Sequence, residues 1–431
     1  MNTNLFHQIV GLAIGSLLLV PAAHADQFPI DLAAAKRVFA DAKSISDAEG
    51  GRLWGTRLYG QMLLVDPETR AVVANEADPQ GVLRASDGCF VGTLPESLII
   101  SNAPTEWEGQ RWTMLMFPSI PDDPIARRVT LAHELFHRIQ PQLHLMAADT
   151  PNPHLDTVEG RFWLQLEWRA LAAALTEHVP AQTAAIRDAL AFRARRRALF
   201  PNSGKAEASQ EIAEGIPEYT GVVAGEPDSY SARWHAAGTL ARPDVSRSFV
   251  RSFSYTSGPG YGLLLDERLP GWRAQLSAQS DLSALLATTL KEAVSVSAED
   301  RAAYYGAAEL RVNEADRAEK AQAAKSRYRT LLVDGPTLAL PKLGRFSFNP
   351  STLVALGDAG IVYPTFHAVA EWGTLDVKEG ILVGANFGSA SLAAPTSIEG
   401  SHLKGPGWTI DLAPGWSAVP AAKRGSYMLR R

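Results

Sequence analysis

Between residues 52 and 117 the apolar positions fall in short β-prone runs, RLYGQMLLV, RAVVA, SLIIS and RWTMLMF, separated by turn formers such as Asp66-Pro67 and Asp87-Gly88. This pattern predicts an antiparallel, meandering sheet. From residue 124 to about 329 the spacing turns helical: Ala, Leu, Arg and Glu dominate, with breaks at Pro141, Pro180, Pro201 and Pro270. The last long helix is expected to start at Ser297, with Asp300 three residues on completing a capping box, and to run to about residue 328. Beyond Gly335-Pro336 β-prone runs return, in TLVALG, TFHAVAEW, GILVGANF and WTIDLA. The predicted fold class is α+β: an antiparallel sheet followed by a helical lobe, plus a C-terminal all-β domain. The expected boundaries are 26–121 for an N-terminal helix and sheet, 122–335 for the helical lobe and 336–431 for the β domain.

The first 25 residues stand apart. Residues 9–23 form an apolar run too short to span a bilayer comfortably, and Ala23-His24-Ala25 supplies the small-x-small pattern of a signal-peptidase site. The expected mature chain begins at Asp26, in the periplasm or outside the cell. The leading MNTNLFHQ has no Lys or Arg, so an uncleaved anchor is the alternative. No later segment has a membrane-spanning apolar length, and Cys89, the single cysteine, offers no internal disulfide. With 431 residues, 46% hydrophobic, the chain can bury substantial cores. A net charge of −5 lacks the basic excess that nucleic acid attracts.

Chemistry concentrates in PDDPIARRVTLAHELFHRIQP, which carries His133-Glu134-Leu135-Phe136-His137. Asp123 suits an N-cap, Pro124 the first helical position, and Pro141 forbids continuation, which predicts a helix of about 17 residues. Ile125, Val129, Ala132, Phe136 and Ile139 give it one apolar face, with the histidines off that stripe. Four residues apart, His133 and His137 can reach one ion at about 2.0–2.1 Å, as zinc requires. Glu134 beside them is placed to take a proton from a water that the ion acidifies to a pKa of about 7. The preceding strand RWTMLMFP is a candidate for the edge on which an extended substrate pairs, or an ordinary core strand.

A metzincin would need Gly at 140 and His at 143, where this chain has Gln140 and Leu143; His144 is one position out of register. Two glutamates on later helices are candidates for the third ligand. Glu214 lies in EIAEGIPEYTG, where Glu218, four residues on, could accept a hydrogen bond from a ligand histidine. Glu167 lies in the apolar FWLQLEWRALAAAL and needs either the metal or an arginine such as Arg161 or Arg169.

Glu-Gly-Ile-Pro-Glu-Tyr at 214–219 resembles the E-G-x-A-x-Y segment of the gluzincin peptidases, which include the large zinc aminopeptidases. Tyr255-Thr256-Ser257-Gly258, leading into YGLLLDERL, is similar to the Y-x-x-G segment of the same group. The resemblance covers roughly residues 110–268 and implies Glu214 as third ligand and Tyr255 as support for the oxyanion, with Tyr261 a rival. The chain departs from that pattern in three places: a gap of 77 residues from His137 to Glu214, which must hold a helical insertion; Pro217 in place of Ala; and no G-A-M-E-N segment. The absence of G-A-M-E-N removes the basis for free-amino-terminus specificity.

The cluster Arg193, Arg195, Arg196 and Arg197 is expected on a solvated, ion-paired helix face. SGPGYG lacks the Lys-Ser or Lys-Thr of a phosphate loop, and Trp372, Trp408 and Trp416 are expected in a core rather than stacked on sugars. The functional expectation is an exported zinc peptidase acting on peptide or protein substrates. Its alternatives are hydrolysis of another amide or ester and a non-catalytic zinc-containing scaffold of the cell envelope.

Overall fold

The computed structural model describes residues 28–148, 150–245, 248–291, 296–348, 352–384 and 387–431, so the expected signal segment lies outside the described residues. Asp31 caps helix α1 (Leu32–Glu49) by accepting from the Ala33 N–H at 2.9 Å. Six strands follow: β1 (Met62–Val65), β2 (Ala71–Ala74), β3 (Arg84–Ser86), β4 (Cys89–Thr93), β5 (Ala103–Trp107) and β6 (Gln110–Met116). They form one sheet in the order β3-β4-β2-β1-β6-β5.

The predicted antiparallel meander holds for every pair except β1 and β6, which run parallel with Met62 opposite Thr113. Glu108 and Gly109 both adopt positive φ, 50° and 75°, in the tight turn between β5 and β6. That hairpin folds back as a unit, and its second strand docks beside β1. β6 is therefore an interior strand, and β5 is the sheet edge. SLIIS is no strand: it lies in the connection before β5, with Ile99 81% exposed.

Strand β1 is buried on both faces, as an apolar run without alternation requires. Met62 and Leu64 join the core of the helical lobe, while Leu63 and Val65 pack with Val72, Trp112 and Met114 on the opposite face. Helix α2 (Pro124–Ile139) packs on the first of these faces. Asp123 caps it through the Ala126 N–H at 2.8 Å, and its 16 residues end just before Pro141. Its burial is wider than a single stripe, because Leu131, His133 and Leu135 are buried along with Val129, Ala132 and Phe136.

The lobe continues with α3 (Val158–Thr176), α4 (Ala181–Leu199), α5 (Ser203–Gln210), a π turn over Glu211–Gly215, α6 (Ile216–Gly225), α7 (Ser229–Ala241) and α8 (Phe249–Arg268). Helices α3 to α5 fill most of the 77 positions between His137 and Glu214. Helix α8 starts well before YGLLLDERL and carries Pro259 inside it, where proline removes a donor to the Tyr255 carbonyl. After α9 (Leu282–Ala287), Ser297 caps α10 (Ala298–Ala302) through the Asp300 N–H at 3.2 Å. The single long helix expected from there is interrupted, because Gly306 adopts φ 73° before α11 (Ala307–Arg329).

Helix α11 buries only Leu310 and Glu314 and leads into the C-terminal domain. There a seven-stranded and a six-stranded sheet enclose a separate core around Leu338, Trp372, Leu375, Ile381, Trp408 and Ile410. Trp372 and Trp408 are buried in it and Trp416 packs against it, as apolar burial predicts. The architecture is α+β throughout. Among the described residues no helix is long and apolar enough to cross a membrane.

Candidate functional site

Three helical segments converge at one point. His133 and His137 project from α2, Glu214 from the π turn and Tyr255 from α8. The His133 and His137 Nε2 atoms lie 3.0 Å apart, and Glu214 Oε2 is 3.6 Å from the first and 3.5 Å from the second. A tetrahedral ion with bonds of about 2.0–2.1 Å sets its donor atoms roughly 3.3 Å apart. Two nitrogens and a carboxylate oxygen at these separations could therefore hold one divalent cation.

The outer nitrogens are held as such a site needs. His133 Nδ1 bonds to Glu218 Oε2 at 2.7 Å, and His137 Nδ1 bonds to the Gln140 side-chain oxygen Oε1 at 2.8 Å. The Gln140 amide in turn donates to the Leu145 and Ile212 carbonyls at 3.0 and 3.1 Å. Gln140 thus acts as the orienting partner of His137, a role that sequence spacing did not assign to it. The signal for its role was its place three residues after His137, where side chains meet on a helix.

Burial lowers the pKa of the His133 imidazole, but its bonds to Glu214 and Glu218 outweigh that, and the pKa is pushed up to about 10. Burial also acts on Glu214, yet His133, His137 and Tyr255 hold its carboxyl well below the usual range. Glu134 is buried beside the histidines, and burial pushes its carboxyl above the usual range against the pull of His133 and His137. Its Oε2 has no hydrogen-bond partner among the described residues. A buried carboxylate oxygen without a donor is costly, and a proton-bearing molecule in the cleft would satisfy it.

The Tyr255 hydroxyl donates to Glu214 Oε2 at 2.5 Å, and its ring stacks on His133 with centroids 5.4 Å apart. Burial, with the Glu214 charge, pushes this phenol well above its ordinary pKa, so it stays a donor. A close crossing sets this geometry. A Cβ at Gly258 would lie 2.2 Å from the Gly215 carbonyl oxygen, so only glycine lets α8 approach the π turn that presents Glu214. Gly258→Ala is expected to cost about 1–3 kcal/mol of stability. It should also lower the affinity for divalent ions at least about tenfold, as loss of a supporting contact does. Gly238→Ala, where an added Cβ meets nothing within 4 Å, is the control in thermal unfolding and ion titration.

Glu167 is not at this site. It is fully buried, with Arg193 Nε at 2.8 Å, Arg196 at 2.5 Å and the Tyr261 hydroxyl at 2.7 Å. Arginine thus satisfies it, but from α4; Arg161 bonds to Glu314 and Arg169 to the Tyr305 carbonyl instead. Tyr261 belongs to this network too, which leaves Tyr255 as the tyrosine at the cluster. The arginine run is ion-paired, but Arg193 and Arg196 are buried rather than solvated. Pro217 lies inside the unbroken helical run formed by α5, the π turn and α6, and the π turn just before it is where the backbone accommodates a residue with no N–H to donate.

The cluster opens on a cleft under the sheet edge, where a cavity of about 240 Å³ is lined by Ala103 and Pro104 of β5 together with His137, Gln140 and Glu214. Compared with known proteins, the chain matches no protein-family model, no curated protein and no solved structure.

Proposed function

We propose that the protein is an exported zinc-dependent peptidase of gluzincin type. The observation that carries this reading is the convergence of His133 Nε2, His137 Nε2 and Glu214 Oε2 within 4.8 Å of one another, with the unpaired Glu134 carboxylate beside them. A zinc ion held by these three atoms supplies Lewis acidity toward the scissile carbonyl and lowers the pKa of water. Glu134, in its dry setting, takes the proton of the attacking water and passes it to the leaving amine. Tyr255 keeps its proton and donates a hydrogen bond to the charge that develops on the carbonyl oxygen. Glu218 and Gln140 hold the two imidazoles so that Nε2 faces inward. The sheet edge that borders the cluster supports an extended peptide laid along β5, although Pro104 has no N–H to offer.

The test is metal analysis of the purified chain together with cleavage of an unfolded protein substrate. One zinc per chain is expected, with cleavage lost on chelation and restored by zinc. Absence of stoichiometric zinc with none taken up, or full cleavage after chelation, overturns the reading.

Zinc uptake should also release protons. Before the ion binds, His133 is protonated at pH 7, since its pKa lies near 10, and a ligand nitrogen must give up that proton. Calorimetric titration at pH 7 in two buffers of different ionisation enthalpy should report roughly one proton released per zinc.

A further inference from the structure

The cavity that borders the donor cluster is walled by three separate pieces of chain. Ala103 and Pro104 of β5 form one wall, Met146 and Ala147 of the segment that leaves α2 form a second, and Ala213 of the π turn forms a third; His137 and Glu214 complete the lining. One buried side chain ties these pieces to the donors. Gln140 holds His137 Nδ1 through its Oε1, and its Nε2 donates to the Leu145 carbonyl at 3.0 Å and the Ile212 carbonyl at 3.1 Å. Leu145 directly precedes Met146, and Ile212 directly precedes Ala213, so two walls are anchored one residue from the pocket. The Ser209 hydroxyl adds a bond to the Ala148 carbonyl at 2.7 Å. The pocket is therefore preformed, and a group that enters it need not order these walls.

The polar side chains of the lining are all engaged. Asn102 accepts from the Met116 N–H at 2.8 Å and donates to the Ser119 hydroxyl at 3.4 Å, Gln140 is bonded as above, and His137 and Glu214 are candidate donors to the ion. What remains for a ligand is the carbon surface of three alanines, a proline and Met146, which is 59% exposed. A charged side chain here would lose water and gain no free partner, whereas an apolar one is buried against carbon and an adaptable thioether. Size narrows the choice further. An apolar cavity of about 150 Å³ is enough for a benzene ring. The pocket volume of about 240 Å³ thus suits one side chain of Leu or Phe size.

We propose that this Gln140-clamped pocket sets the specificity of the site: it takes one Leu- or Phe-sized apolar side chain from a residue flanking the scissile bond, with Met146 as its exposed wall. The proposal rests on the peptidase reading above and selects polypeptides with a large apolar residue at the cut bond as the substrate class. Gln140 acts as a positioning residue, because the same amide sets the direction of His137 and the placement of the walls.

The test uses labelled ten-residue Ala-Ser peptides carrying one Leu, Lys or Asp moved stepwise along the chain, with the zinc-loaded protein and its Met146→Glu variant; mass spectrometry locates the cut. In the wild type, Leu at one of the two positions flanking the cut bond should raise kcat/KM at least about tenfold over Ala, and Lys or Asp there should not. In Met146→Glu the ratio of Lys to Leu kcat/KM should rise at least about tenfold, because the new carboxylate disfavours the apolar guest and attracts the cationic one. Met146 is exposed and is not among the candidate donors, so the thermal midpoint and zinc content should match the wild type. An unchanged Lys-to-Leu ratio in Met146→Glu overturns the proposal, as does a wild-type preference for Ala or for a charged residue at both flanking positions. If no peptide is cut, the peptidase reading fails on its own, and fluorescence anisotropy with the same peptides still judges the pocket. Leu-dependent binding that weakens about tenfold in Met146→Glu upholds it, and equal binding of the Leu and Asp peptides removes it.

Discussion

Glu134→Gln should retain one zinc per chain while its kcat/KM on an unfolded protein falls between about a hundredfold and ten-thousandfold, the range that positioned proton transfer contributes. The amide keeps the shape and burial of the carboxyl but cannot accept the proton of the attacking water. Glu134 is not among the three candidate donor residues, so ion affinity should change far less than in a donor variant. The mutant separates enzyme from scaffold. A zinc-loaded Glu134→Gln chain whose biological activity equals that of the wild type would sink the hydrolase reading and favour a non-catalytic role. His137→Ala gives the complementary signature, since it removes a donor and should lose zinc and cleavage together. Glu134→Gln should lose cleavage alone.

Much of this centre was legible in the residues, and the reasons differ from one to the next. His133, Glu134 and His137 are local: the spacing of four, the Asp123 cap and Pro141 fix their helix and its rotation without any tertiary information. Glu214 and Tyr255 are 77 and 118 positions from His137; physical argument alone leaves Glu214 beside Glu167 as a candidate, and only the resemblance to peptidase segments favours it and points to Tyr255. The physical reason they meet is the Gly215–Gly258 crossing, a backbone contact that leaves no periodic trace in sequence. Gln140 carries only a weak local signal, its place three residues after His137, because a glutamine at a helix end has many possible partners. The sheet misled in two ways. SLIIS has strand composition yet no partner to pair with, and the Glu108-Gly109 turn swings β6 into the interior, so the free edge is a strand containing Pro104. Pairing order is a long-range property, and short apolar runs do not encode it.

The arginine cluster teaches the same lesson and carries the second large effect. Arg196 is fully buried between Glu167, at 2.5 Å, and Glu207, at 2.9 Å, while Arg195, one residue away, reaches the exposed Glu299 from a half-buried position. Removing one partner of a buried ion pair leaves a charge without compensation, which costs about 3–5 kcal/mol, whereas an exposed pair is worth about 0–1 kcal/mol. Arg196→Met should therefore destabilise the helical lobe by about 3 kcal/mol, toward the lower limit because Arg193 still reaches Glu167 and Arg197 still reaches Glu207. Arg195→Ala should cost less than about 1 kcal/mol. Urea unfolding followed by circular dichroism at the helical band reports this lobe, since the C-terminal domain is built of strands. Equal midpoints for the two variants would show that the buried network does not hold the lobe together. The network also reaches the candidate site. Arg193 grips Glu167 and Glu211, and Glu211 opens the π turn that carries Glu214. In Arg196→Met the shared carboxylate of Glu167 is left to Arg193 and the Tyr261 hydroxyl, which draws on the same guanidinium that anchors the turn. Loss of stability should thus be accompanied by weaker zinc binding, although no residue of the network touches the ion, and Arg195→Ala should show neither effect.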